Sequence, residues 1–137
     1  MQEANQLKKL LLIEDDKDLS HMYAKKFSNA GWITTISHDG AEGIQKAKEK
    51  AFDIIVLDLM LPGISGVDVL EILRSDSRTV KVPVVIYTNF GDNFNREKCL
   101  SYGADEFVLK VESTPESLCE TIEKVAMLKE TEGLEPG

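Results

Sequence analysis

The fold is decided by the stretch Lys9-Leu10-Leu11-Leu12-Ile13-Glu14-Asp15, a nearly continuous apolar run that ends in two acids. Three further apolar runs also end in a polar residue, at Asp58, Thr88 and Lys110. Strands that are buried on both faces of a parallel sheet have this continuous apolar pattern. If the four runs are neighbouring parallel strands, their polar ends converge at one edge of the sheet, where open α/β sheets bind their ligands.

Strand-like runs alternate with segments of helical periodicity along the whole chain. The predicted strands are Lys8–Ile13, Trp32–Ser37, Asp53–Asp58, Val82–Thr88 and Glu106–Leu109. The second is diluted by hydroxyl residues and the fifth is short, so we expect both at the edges of the sheet. Strands that alternate with helices through short connections require right-handed crossovers, which place helices on both faces. The sequence thus predicts an α/β fold with a doubly wound parallel sheet and leaves the strand order open.

The fourth predicted helix, Asn93–Tyr102, has the weakest apolar pattern. Only Cys99, Leu100 and Tyr102 are expected to face inward. Phe90 lies just before this helix, and we expect it in the core, with a place on a docking surface as the alternative. The two cysteines of the chain do not form a disulfide framework in a protein of this length, and we expect buried or half-buried thiols.

Length and composition predict one domain. The chain has 137 residues, of which 42% are hydrophobic, enough for a core. We expect a single domain over residues 1–130, a polar tail over residues 131–137 and no output domain. The first nine residues lack the apolar segment of a signal peptide, and no apolar run approaches the length of a membrane span, so we expect a cytoplasmic protein without membrane contact. The net charge of −8 disfavours direct nucleic-acid binding.

The acids predicted at the sheet edge require a partner of opposite charge. Glu14, Asp15 and Asp58 would be close like charges, and oxygen ligands of this kind suit Mg²⁺, which also leaves room for a phosphate. Lys110 would then supply a positive charge for the phosphoryl group and Thr88 a hydrogen-bond donor. A lone Asp after a strand more often caps the next helix, but the full set after four strands is far more specific.

The chain resembles a response regulator receiver domain, the chemotaxis-type phosphoacceptor fold, over about Lys8 to Leu128. The resemblance implies a flavodoxin-like three-layer sandwich with strand order 2-1-3-4-5. The motifs that carry it are Glu14-Asp15, Asp58-Leu59-Met60-Leu61-Pro62-Gly63 with Gly66, Thr88, and Gly103-Ala104-Asp105-Glu106-Phe107 before Lys110.

The resemblance also implies a role for each site residue. Asp58 would be the phosphoacceptor, with Mg²⁺ bound directly by Asp15, by Asp58 and by the backbone carbonyl of Met60. Glu14 would act mainly through metal-bound water. The phosphoryl donor would be a histidine kinase or a phosphotransfer protein, and the chain itself would not be an enzyme beyond its own phosphorylation and slow dephosphorylation.

Signal output would follow from new bonds to the phosphoryl group. The resemblance implies that Thr88 and Lys110 bind it, and that Phe107 is the switch aromatic. The surface of the fourth helix, fifth strand and fifth helix would then change for an unknown downstream protein, with the chain a monomer or a phosphorylation-dependent homodimer. Because Phe107 lacks the tyrosine hydroxyl common in the family, we expect it to point inward even without phosphate.

Two positions depart from the family pattern. Asn89 follows Thr88, where small residues are usual, and its amide either slows or hastens dephosphorylation or simply points outward. Val111 replaces a frequent proline after Lys110, and we expect a trans peptide bond there because a non-proline cis bond costs about 2.5–4 kcal/mol. The consequence for the lifetime of the phosphoryl group stays open.

Other functions on a similar fold remain in view. A Mg²⁺-dependent phosphatase with an aspartyl nucleophile would need a second acid two residues after Asp58, where this chain has Met60. An FMN-binding module would need a glycine- and hydroxyl-rich loop after the first strand, where Asp15-Asp16-Lys17-Asp18 would repel phosphate. A receiver that is never phosphorylated is disfavoured by the complete acid set.

Overall fold

Five strands and five helices alternate along the described residues 8–133. The computed structural model describes residues 8–133, with side chains to residue 130. The strands are β1 (Lys8–Ile13), β2 (Trp32–Ser37), β3 (Ile54–Leu57), β4 (Val84–Thr88) and β5 (Glu106–Leu109). The helices are α1 (Lys17–Asn29), α2 (Gly40–Glu49), α3 (Gly66–Ser75), α4 (Asn93–Ser101) and α5 (Pro115–Gly133), and a 3-10 turn spans Lys110–Glu112.

The strands form one parallel sheet in the order β2-β1-β3-β4-β5. The doubly wound sheet, the order and the two edge strands are therefore confirmed. Every residue of β3 and β4 is buried, as their continuous apolar sequences require. The predicted third and fourth strands begin too early, and the third also ends one residue late. Asp53 and Pro83 each make a backbone hydrogen bond to a neighbouring strand, but the regular pairing starts only after them.

Apolar side chains cover the sheet on both faces and give three layers. One core cluster includes Ile44 of α2, Leu70 of α3 and Cys99 of α4. The other includes Phe27 of α1 and Ile122 of α5. Burying one such aliphatic or aromatic side chain contributes about 1.5–3 kcal/mol, so these two clusters hold the helices against the sheet.

Short polar residues cap the helices at the sheet's carboxyl edge. Asp16 accepts the backbone N–H of Leu19 at the start of α1, and Asp92 accepts that of Asn95 at the start of α4. Gly31 and Gly103 have positive φ values of 100° and 98° where α1 and α4 end, as expected for left-handed caps. Asp16 thus has the capping role that acids after strands commonly have.

Two expectations about burial are wrong. Phe90 is 44% exposed and Leu100 is 41% exposed, although we expected both to face inward. Leu100 follows the fully buried Cys99, and one residue turns the helix by about 100°, which takes Leu100 away from the core.

α5 continues to Gly133, three residues into the predicted tail, and residues 134–137 lie outside the described part. No helix among residues 8–133 combines the length and the apolar character that crossing a bilayer requires.

Arg74 of α3 connects two loops at the amino-terminal edge of the sheet. Its guanidinium donates to the carbonyl of Val82 at 2.7 Å, to the carbonyl of Gly103 at 2.9 Å and to the carboxylate of Asp105 at 3.3 Å. The Asp105 carboxylate also accepts the N–H of Val84, at the start of β4. One side chain therefore ties the loop before β4 to the loop before β5.

We expect Arg74→Met to lower the free energy of unfolding by about 2–3 kcal/mol, since the carbonyls of Val82 and Gly103 lose their guanidinium donor and Asp105 loses one of its partners. Chemical denaturation measures this loss. Arg78→Met is the matched control, because Arg78 is 61% exposed and pairs with Asp76 on the surface. Equal losses in the two variants would contradict the role of Arg74 as a connector.

Both thiols are expected to react slowly in the folded protein. Cys99 is fully buried, and burial raises its pKa to about 11. Cys119 is half-buried, and its pKa is also raised by burial. Because the thiolate is the reactive form, iodoacetamide at neutral pH should alkylate Cys119 slowly and Cys99 more slowly still, as followed by mass. Equal rates in the folded protein would show that α4 opens readily.

Candidate functional site

Four adjacent strands bring the predicted site residues to one edge of the sheet. Glu14 and Asp15 follow β1, Asp58 follows β3, Thr88 ends β4, and Lys110 follows β5. The strands β1, β3, β4 and β5 are consecutive neighbours and all run in the same direction. Their carboxyl ends therefore place these side chains together, as the sequence predicts.

Three acids meet in this crevice. Glu14, Asp15 and Asp58 each offer one carboxylate oxygen, and these oxygens lie within 4.8 Å of one another. Glu14 is 3% exposed and Asp58 is 6% exposed, whereas Asp15 is open to solvent. Hard oxygen donors with one open side fit a divalent cation such as Mg²⁺, which keeps part of its water shell.

Lys110 bridges the two buried acids. Its Nζ lies 2.6 Å from Glu14 Oε1 and 2.9 Å from Asp58 Oδ2. Burial acts to lower the pKa of Lys110, but its bonds to Glu14 and Asp58 outweigh burial and raise that pKa, so the side chain is a charged ammonium. For Glu14 the effect of burial is the opposite and dominates: burial raises the pKa of this carboxyl, although the bonds from Lys110 and from the Asp16 N–H act to lower it.

The other oxygen of Asp58 is held by two donors. The Thr88 hydroxyl donates to Asp58 Oδ1 at 2.7 Å, and the backbone N–H of Met60 donates to the same oxygen at 3.1 Å. Thr88 Oγ1 in turn accepts the N–H of Phe90 at 3.1 Å, which leaves its own hydrogen for Asp58. The carboxylate is therefore fixed in one orientation. The side chain of Met60 is 59% exposed and supplies no acid where the phosphatase alternative needs one.

Phe107 lies inward, as expected for a bare phenyl ring. It is 5% exposed, and the guanidinium of Arg96 lies 5.7 Å from its ring centroid. The described chain contains only trans peptide bonds, including the one before Val111. Lys110 reaches both acids with valine in place of the frequent proline.

Gly66 allows α3 to begin against the backbone of Asp58 and Leu59. A Cβ at this position would overlap the carbonyl oxygen of Asp58 and the Cα of Leu59. We expect Gly66→Ala to lower the free energy of unfolding by about 1–3 kcal/mol, because the backbone beside Asp58 must move. Denaturant unfolding measures it, with Glu71→Ala on the exposed face of the same helix as the control. Unchanged stability in Gly66→Ala would mean that this contact is loose.

Sequence reasoning missed Tyr87 as part of the site. The Nζ of Lys110 lies 5.8 Å from the centroid of the Tyr87 ring. The strand register contained a signal for this contact. Tyr87 pairs with Val108 on the same face of the sheet, and Lys110 follows two residues later, in the 3-10 turn after β5.

Comparison of the sequence with protein-family models identifies the family to which this site belongs. The model of the response regulator receiver domain matches residues 10–123, which include every site residue described above. The chain belongs to the response regulator receiver domain family. It is therefore the receiver domain of a two-component response regulator, with the family's acidic cluster in place.

Individual relatives agree with this assignment. The receiver domain is 32% identical over 102 residues to the response regulator ArlR of Staphylococcus saprophyticus, a match that covers 74% of this chain and 45% of the relative. The chain thus spans less than half the length of that protein, so the activity of a whole regulator does not transfer to it directly.

Solved structures share the receiver fold closely. The CheY-like receiver domain from Methanospirillum hungatei superposes with a TM-score of 0.87 at 24% identity, covering 93% of this chain and 99% of the other. The receiver domain of the sensor histidine kinase PA1611 from Pseudomonas aeruginosa superposes with a TM-score of 0.80 at 21% identity, covering 88% and 98% of the two chains. That structure holds a magnesium ion in its active-site cleft.

Proposed function

We propose that this receiver domain accepts a phosphoryl group on the Asp58 carboxylate from a phosphohistidine of a histidine kinase or phosphotransfer protein. The observation that carries the proposal is the convergence of Lys110, Thr88 and two further acids on Asp58. Asp15, Asp58 and the carbonyl of Met60 would hold Mg²⁺ directly, and Glu14 mainly through metal-bound water. The magnesium ion in the active-site cleft of the PA1611 receiver domain, which has the same fold, supports a metal at this place.

Transfer requires one bond to form and one to break. An oxygen of Asp58 attacks the phosphorus in line while the bond from phosphorus to the histidine nitrogen breaks, and the imidazole leaves with the bonding electrons. The transition state is loose, so catalysis consists mainly of positioning and charge stabilisation. Lys110 and Thr88 already contact Asp58 and need only small movements to donate to the phosphoryl oxygens. When bound, Mg²⁺ supplies further positive charge for those oxygens.

Switching depends on how much better these bonds form in the active state. Hydrogen bonds to charged groups contribute roughly 1.5–3 kcal/mol each, so Thr88 and Lys110 together give about 3–6 kcal/mol. Inverting a 1:99 equilibrium takes about 5.5 kcal/mol. Thr88 is fully buried and Phe107 is 5% exposed, so both side chains lie inward in this structure. The surface of α4, β5 and α5 would then bind a downstream protein or a second receiver.

Intact mass measurement after incubation with acetyl phosphate tests the proposal. With Mg²⁺ present, the protein should gain the mass of one phosphoryl group, and chelation of the metal should prevent the gain. Neutral hydroxylamine should then remove the group, because it cleaves acyl phosphates and leaves phosphoserine and phosphothreonine intact. No gain of mass with Mg²⁺, or a gain that resists hydroxylamine, would refute phosphorylation on an aspartate.

A further inference from the structure

Tyr87 lies beside the ammonium of Lys110, on the inner side of the crevice. Tyr87 is 3% exposed in the middle of the sheet, and the Nζ of Lys110 is 5.8 Å from its ring centroid. A cation within about 6 Å of a tyrosine ring is attracted by the ring's electron density, and more strongly where water is excluded. Only 10% of the Lys110 side chain is exposed, which meets that condition.

The ring of Tyr87 is itself held in place by α1. The Tyr23 hydroxyl donates to the Tyr87 hydroxyl at 3.3 Å, and the two rings meet edge to face with centroids 5.2 Å apart. Burial, followed by the bond to Tyr23, raises the pKa of Tyr87. The phenol is therefore neutral, and its attraction for Lys110 comes from the ring and not from a phenolate charge.

Lys110 needs the contact with the Tyr87 ring because its hydrogen bonds use only two of its three donors. An ammonium has three N–H donors, and Glu14 and Asp58 accept two of them. Within the described residues, no third hydrogen-bond acceptor is found for Lys110 Nζ. Its four-carbon stem is flexible, so two bonds alone do not fix the ammonium when a phosphoryl group replaces one of the acceptors.

We propose that Tyr87 is the positioning residue of Lys110. Its ring holds the ammonium between Glu14 and Asp58, at the place where it meets the incoming phosphoryl group. The inference rests on the proposed function and names a residue through which the same site is organised.

Two substitutions separate the ring from the hydroxyl. Tyr87→Phe keeps the ring, and its phosphorylation rate with acetyl phosphate and Mg²⁺ should stay within about twofold of wild type, whereas Tyr87→Leu should be about 5- to 30-fold slower. Tyr102→Leu is the matched control, since Tyr102 also lies 5.8 Å from a lysine, Lys98, away from the crevice. A Tyr87→Phe variant as slow as Tyr87→Leu would overturn the proposal.

A purely structural role of Tyr87 predicts a different result in a double-mutant cycle. The denaturation midpoint is measured without metal for Tyr87→Leu, Lys110→Met and the double variant. If the ring acts through Lys110, Tyr87→Leu lowers the midpoint less when Lys110 is already absent. Strictly additive shifts would mean that Tyr87 only fills space, and would refute the positioning role.

Nuclear magnetic resonance tests the contact without any phosphorylation. The ε-methylene protons of Lys110 should be shifted upfield by the Tyr87 ring current in wild type and in Tyr87→Phe, and should return toward ordinary lysine values in Tyr87→Leu. Unshifted protons in the wild type would overturn the proposal even if Tyr87→Leu does not fold. A wild type that takes up no phosphoryl group but shows the shift and the coupling would refute the proposed function and leave the contact between Tyr87 and Lys110 standing.

Discussion

Asp58→Asn is expected to abolish phosphorylation of the receiver domain altogether. The amide is not a nucleophile for phosphorus, although it matches the carboxylate in shape and can still accept from Thr88 and Met60 through its oxygen. Lys110 keeps its bond to Glu14, so we expect the variant to fold. Intact mass after incubation with acetyl phosphate and Mg²⁺ should show no added group.

The controls for this variant separate the acceptor from the surrounding charge. Asp68→Asn removes an exposed carboxylate from α3 and should be phosphorylated like wild type. Asp15→Asn keeps the acceptor but removes the exposed acid of the crevice, and its phosphorylation should be strongly impaired at low Mg²⁺. Addition of one phosphoryl group to Asp58→Asn would show that the acceptor is another residue.

Lys110→Met is expected to lower the free energy of unfolding by about 3–5 kcal/mol in the absence of metal. Removing one partner of a buried ion pair leaves uncompensated charge, and here Glu14 and Asp58 would face each other without a cation. Phosphorylation should also be far slower, because the developing charge loses a donor. Denaturant unfolding and the acetyl phosphate assay measure the two effects.

Added Mg²⁺ should restore part of the lost stability in this variant, because an ion that binds only the folded state stabilises it. Lys26→Met is the matched control. Lys26 pairs with Glu116 at 3.0 Å on the surface, where both side chains are exposed, and an exposed pair of this kind contributes little. A metal-free Lys110→Met protein as stable as Lys26→Met would show that the two buried acids do not depend on the ammonium.

The sequence allowed the sheet and the crevice to be predicted for the same physical reason. Parallel strands that are buried on both faces have nearly continuous apolar sequences. The residues that follow these strands lie together at the carboxyl edge of the sheet. That reasoning brought Asp15, Asp58 and Lys110 together before any contact was known. Their chemical roles came from the family resemblance, and they stay predictions until phosphorylation is measured.

Contacts that depend on helix rotation or on strand register were not predictable in the same way. Leu100 is apolar but exposed because it lies on a different face of α4 from the fully buried Cys99, and Phe90 is exposed in the loop before that helix. Tyr87 was recognised only as a strand residue, since its contact with Lys110 depends on how β4 pairs with β5. Local patterns therefore specify the strands and helices more reliably than they specify which side chains of a weakly patterned helix are buried, or which side chains touch.

The guanidinium of Arg74 gives α4 one tethered end. The carbonyl of Gly103, just after the helix, is bonded to Arg74, whereas Phe94 in the first turn is 70% exposed. A helix that is held at one end moves most at its other end. The free end of α4 is Asn93, which follows Thr88 and Phe90 by only a few residues. If Asp58 is phosphorylated as proposed, we therefore expect any movement of α4 to be larger at Asn93 than at its end near Gly103.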